Sequence, residues 1–162
     1  MSEASIALRA RRAAFLLALS AATGWAAGGA RAAEPYAPGL GDFMTAYVQP
    51  HHVKLWLAGS GLNWPLAEYE AKELRETFED VGTYQAVWHD FPIGKMVESV
   101  LYPTLDQVDR AIKDRSDSGF RKSFEAMTQA CNACHQATGN GFIVIKVPAA
   151  GAAFPDQQFP AK

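Results

Sequence analysis

From Gly41 to Gly59 the apolar positions fall on a helical stripe: Met44, Val48, His52 and Leu55 follow one another at spacings of four, four and three, and Phe43, Tyr47 and Leu57 widen that face. The pattern predicts a first helix of roughly 18 residues, about 27 Å long at ~1.5 Å per residue. Pro50 lies in its middle, lacks an N–H and crowds the carbonyl four residues back, so a kink is expected there. The run Gly59-Ser60-Gly61-Leu62-Asn63 stops the helix. A second helix is predicted to open at Asn63 or Trp64, with Pro65 in its first turn and Leu66, Tyr69, Leu74, Phe78 and Val81 as its buried face. Glu68, Glu70, Lys72, Glu73, Arg75 and Glu76 read as the opposite, solvated side, with Glu68 and Lys72 paired one turn apart.

The third element reads as broken. Ile93 to Leu101 suits a short helix, Pro103 interrupts it, and Thr104-Leu105-Asp106-Gln107 is a capping box that restarts it through Lys113 or Arg115. A fourth helix is predicted from a cap at Asp117 or Ser118, with Phe120, Phe124, Met127, Cys131, Cys134 and His135 along its inner stripe and Gly139 at its end. Beyond it, Phe142-Ile143-Val144-Ile145-Lys146-Val147 is strand-like but has no partner strand in the sequence. A lone strand forms no sheet, so this segment is expected to lie over the helices. The chain therefore reads as all-α, with an extended tail.

The first thirty-odd residues differ from the rest. Arg9, Arg11 and Arg12 precede an apolar run from Ala13 to Ala22 that is too short to span a bilayer, and Ala30-Arg31-Ala32 places small residues at cleavage positions. Residues 1–32 are expected to be a secretory signal, with a general export route preferred over the twin-arginine one. Residues 33–139 then form one helical domain and residues 140–162 an extended tail. Cleavage after Ala32 would take Lys plus Arg from 15 to 11 and Asp plus Glu from 17 to 16, a net charge of −5. An acidic chain of that kind does not suit nucleic acid, whose phosphates need clustered cations, and it leaves room for a positively charged protein partner.

Cys131-Asn132-Ala133-Cys134-His135 carries the most specific chemistry. Two thiols three positions apart with a histidine directly after the second make up the attachment site of a c-type haem. On a helix the sulfurs can form thioethers to the two vinyl groups of one haem, and the next side chain binds the iron through an imidazole nitrogen. Zinc would need two further ligands from a coherent second cluster, but there are no other cysteines, and the remaining histidines are His51, His52 and His89. A dithiol redox motif belongs where a strand gives way to a helix, which is not the setting here. One covalently bound haem c is expected, its edge being the other place over which the segment Phe142 to Val147 is expected to lie, and an exported chain agrees with where such haems are attached.

Four helices with this motif late in the fourth resemble the class II c-type cytochromes, the cytochrome c′ and cytochrome c-556 group, over about residues 40 to 138. The resemblance implies an up-down-up-down four-helix bundle with haem between the helices, His135 as proximal ligand, and a distal position supplied by the first helix. That position is apolar where the iron stays five-coordinate and methionine where it becomes six-coordinate. Met44 faces His135 in such a bundle and is the first choice for sixth ligand; the alternative is that it fills core. His52, about 12 Å further along the helix, is the second choice and depends on a change of register. His51 stands behind it, and His89 is expected in a solvent-facing loop.

Two departures from the family stand out: the tail of more than twenty residues after the histidine, and the segment from Gln49 to Trp64, which looks more like a set of small bacterial cytochromes than like cytochrome c′ itself. Electron transfer in the periplasm is the leading expectation, with a redox partner protein and no membrane insertion of the mature chain; the resemblance also admits a homodimer. A five-coordinate protein binding nitric oxide or carbon monoxide is the alternative. An enzyme is not expected, since only His51 and His52 could supply distal acid–base groups and their spacing does not favour it.

Overall fold

The computed structural model describes residues 36–149 and 154–161, and the expected signal segment with its cleavage point after Ala32 lies outside them. Among the described residues the fold is all-α, with four helices and no strand. The first, α1 (40–60), starts as Leu40–Asp42, continues as a π-helical stretch Phe43–Val48 and runs on as Gln49–Ser60. Asp42 opens it, its carboxylate accepting the Gly39 N–H at 3.0 Å. The second, α2, spans Trp64–Tyr84, and its N-cap Asn63 accepts the Leu66 N–H. The third, α3 (93–113), joins Ile93–Met96, a second π stretch Val97–Leu101, and Tyr102–Lys113. The fourth, α4, spans Asp117–Ala137.

Neither Pro50 nor Pro103 breaks its helix, so the interruption expected at Pro103 does not occur. In each case the residue before the proline donates its N–H five residues back, Gln49 to Met44 and Tyr102 to Val97. A proline has no N–H for the carbonyl four residues back and its ring crowds that carbonyl. A π turn just upstream absorbs the misfit while the helix continues. The capping box at Thr104 accordingly does not form; its hydroxyl donates back to the Leu101 carbonyl at 2.7 Å. The α4 cap also lies one residue earlier than predicted, where Ser116 Oγ accepts the Gly119 N–H.

Helix α1 packs on α2 and α4, and α3 on α2 and α4, around a core that includes Leu55, Leu74, Leu105, Val108, Phe120, Phe124 and Met127. The end of α1 meets the start of α4 closely: a Cβ on Gly59 would lie 2.1 Å from the tip of the Phe120 ring, so glycine is the residue that fits. Leu74, Phe78 and Val81 of α2 are buried as predicted, whereas the buried face of its first half is shifted. Ala67, Glu70 and Ala71 are buried and Tyr69 is 54% exposed. Small alanines let α2 approach its neighbours, which turns the bulky tyrosine outward. Glu70, expected in solvent, is 2% exposed and is satisfied by His51 Nδ1 at 2.8 Å. The surface pair on α2 is Lys72–Glu76 rather than Glu68 with Lys72, while Arg75 bridges to Asp106 and Asp109 of α3.

After α4, residues 140–149 run without ladder pairing, so the strand-like pattern yields extended chain and no strand. Further on, Phe159 is buried, the Ala161 N–H donates to the Gly61 carbonyl, and Lys54 lies over the Phe154 ring. The tail thus contacts the helices at two separate places. No helix among the described residues is long and apolar enough to cross a membrane.

Candidate functional site

On α4, Cys131, Cys134 and His135 stand at spacings of three and four, which places all three on one face of the helix. That face borders a cavity of about 440 Å³. The inner stripe of α4 explains the space: it passes from Phe120, Phe124 and Met127 to Ala130, Cys131 and Cys134, from large side chains to small ones. Burial pushes the Cys131 thiol up to about 12, with the neighbouring Cys134 adding to the rise. Burial raises Cys134 as well. Both sulfurs are therefore neutral thiols at physiological pH, unlike the activated thiolates of redox dithiols.

His135 is oriented by the tail. Its Nδ1 lies 2.8 Å from the Ile143 carbonyl, which can only accept, so Nδ1 carries a proton, and of the two neutral tautomers this contact selects the one with its lone pair on Nε2. A nitrogen of that kind is what a metal requires, with its other ring nitrogen held by an outer hydrogen bond.

The other walls come from every helix. Met44, Val48 and His52 line the cavity from α1, Phe78 from α2, and Ile93, Met96, Val97 and Leu101 from α3. Both π stretches contribute side chains, Met44 and Val48 from one and Val97 and Leu101 from the other. Trp88 is brought in by a tight turn: it pairs with Phe91, and the two residues between, His89 and Asp90, both have positive φ. His89 itself is exposed.

The five residues singled out from the sequence, Cys131, Cys134, His135, Met44 and His52, all border this cavity. They differ in how free they are. Met44 is half-buried and its thioether makes no hydrogen bond. His52 is 5% exposed, with Nε2 2.9 Å from Thr128 Oγ1. The Thr128 hydroxyl donates to the Phe124 carbonyl, so His52 Nε2 is the donor of the pair. Burial pushes the His52 imidazole down to about 4, which keeps it neutral near pH 7. His51, bound to Glu70, does not border the cavity.

Sequence reasoning missed Met96, Trp88 and Phe78 as cavity-lining groups, whereas the tail residues 143–146 border the cavity, in line with a segment expected to lie over the bundle. Ile93, Met96, Val97 and Leu101 have helical spacing, which identified a buried face but not what the face encloses. Nothing in the local sequence announced that Trp88 would reach the same place. No protein-family model, curated protein or solved structure matches this chain.

Proposed function

We propose that this chain is a monohaem c-type cytochrome, an up-down-up-down four-helix bundle exported to the periplasm, where it passes electrons to a partner protein. The observation that carries the reading is convergence: Cys131, Cys134 and His135 from the last helix and Met44 from the first border one largely apolar cavity. Its volume, about 440 Å³, falls in the ~300–1,000 Å³ range of small-molecule and cofactor pockets. The donor set fits one haem c. Each thiol can add across a vinyl group, forming a C–S bond while the thiol hydrogen goes to the other vinyl carbon. His135 offers its unprotonated Nε2 as proximal ligand, and Met44 offers a soft thioether as the sixth.

When bound, the haem supplies one-electron chemistry at its iron. The residues of the chain do the rest. The apolar walls from Phe78, Val97 and Leu101 exclude water, and the Ile143 carbonyl fixes the His135 tautomer. Thr128 holds His52 Nε2 away from the role of second-choice ligand. With cleavage after Ala32 the net charge of −5 favours a partner that presents positive charge.

A second reading has its own support. With Met44 withdrawn, the apolar wall and the neutral His52 would form a site for a small uncharged gas such as nitric oxide or carbon monoxide. One set of spectra decides. The purified chain is expected to keep its haem through denaturing extraction, and the Cys131→Ala, Cys134→Ala double variant to lose it; a wild-type chain with no covalent haem would sink the proposal. Ligation by Met44 predicts a near-infrared methionine-to-iron band in the oxidised protein that disappears in Met44→Ala, with carbon monoxide binding gained on reduction. An absent band together with carbon monoxide binding by the wild type would favour the gas-binding reading.

A further inference from the structure

Asn132 lies between the two cysteines of the motif, a position that haem attachment leaves open to any residue. Its side chain nevertheless makes two short hydrogen bonds to one residue of the tail. Nδ2 donates to the Ile145 carbonyl at 2.9 Å, and Oδ1 accepts the Ile145 N–H at 2.7 Å. The amide therefore presents a donor and an acceptor to extended backbone as a neighbouring strand would. Two residues before Ile145, the Ile143 carbonyl accepts from His135 Nδ1 at 2.8 Å. The Ile143 N–H in turn donates to the Asn140 carbonyl, closing the turn that leaves α4.

Burial does not explain why this segment stays in place. Phe142 is 81% exposed, Ile143 45% and Val144 62%, so little apolar area is removed from water there. The fixed points are polar ones, at positions 132 and 135 of α4, one helical turn apart. Release of the grip at Ile145 would leave the Ile143 carbonyl held only by the single turn through Asn140, and the His135 ring would lose its hold on the acceptor that sets its tautomer.

We infer that Asn132 is a positioning residue: it docks residues 143–145 across the site, and through the Ile143 carbonyl it holds His135 with Nε2 facing the cavity. The value of that orientation to an iron rests on the function proposed above, whereas the docking itself does not. Histidine labelled with ¹⁵N in the ring reads it directly by NMR, in the reduced chain under carbon monoxide. Asn132→Ala should raise the exchange rate of the His135 Nδ1–H with water by about tenfold or more, the scale of one lost hydrogen bond. It should also speed proteolytic cleavage within residues 142–147. Asn132→Asp keeps an acceptor for the Ile145 N–H and loses the donor, so it should fall between the wild type and Asn132→Ala; it also supplies the measurement if the alanine variant does not fold.

An unchanged Nδ1–H exchange rate in a folded variant would overturn the inference, even if the tail were cleaved faster. A chain without covalent haem would sink the cytochrome proposal instead, and the same exchange measurement on that chain would still decide the role of Asn132.

Discussion

The two ends of this helical domain are built from the same helices and packed in opposite ways. Where α1 ends and α4 begins, Trp56, Trp64, Phe120 and Phe124 interlock, with ring centroids 5.1 to 6.2 Å apart. Gly59 is kept bare to admit the Phe120 ring. Where α1 begins and α4 ends, the inner residues are Ala130, Cys131, Cys134 and Met44, both long irregular helices carry π turns, and a cavity opens. Protein interiors ordinarily approach the density of organic crystals. A domain that achieves this at one end and forgoes it at the other has a use for the space, and the space is where the reactive side chains collect.

The packed end should therefore bear the largest penalties. Phe124 is fully buried and touches both Trp56 and His52. Phe124→Ala is expected to cost ~3–5 kcal/mol, because the rigid aromatic surroundings cannot collapse into the gap. Urea unfolding measures it. A loss under ~1 kcal/mol would mean that this end is as loosely filled as the other, and the contrast would fail.

How much of this contrast was legible beforehand depends on range. The helix stripes and the Asn63 cap are local signals, and the structure follows them within a residue or two. The π turns were not read, because a proline in a helical pattern suggests a kink or a break, and continuation depends on whether neighbouring helices hold the chain on both sides. Glu70 and Tyr69 were exchanged for the same kind of reason. Hydrophobicity alone favours tyrosine inside, but the close approach of α2 through Ala67 and Ala71, and the availability of His51, are tertiary facts. That the tail lies over the helices was legible in its unpartnered strand pattern, but the pairing that fixes it was hidden, since Asn132 and Ile145 are 13 residues apart with a turn between them.

His52 sits between the two ends, its ring against Phe124 and its residue bordering the cavity. The unfolded chain takes up a proton at this imidazole near its ordinary value of 6.5, whereas burial delays uptake in the folded chain until about 4. Below 6.5 the unfolded state binds more protons, so folding stability from this residue is complete above pH 6.5 and is lost as the pH falls toward 4. The loss should approach ~3 kcal/mol across that window. In His52→Leu the window should be flatter by that amount, measured as unfolding free energy at pH 7 and pH 4. Parallel pH profiles for the two proteins would show that His52 is hydrated, as part of the open end, and not sealed among the aromatic residues.

The finest test compares one chemical change made one turn apart on α3. Leu105 is fully buried in the core away from the cavity, and Leu101, 3% exposed, borders it. With nothing in the cavity, Leu105→Ala should cost ~2–5 kcal/mol, and Leu101→Ala should cost ~1–2 kcal/mol less than that, because the deleted methyls of Leu101 faced space already open. A haem in the cavity would give Leu101 a packing partner and bring its cost up to that of Leu105. The expected result is thus a gap between the two variants in the Cys131→Ala, Cys134→Ala background, read by urea unfolding, and a smaller or vanishing gap in the haem-bearing chain. The same gap in both backgrounds would place the haem elsewhere, and the open end of the domain would then need a different occupant.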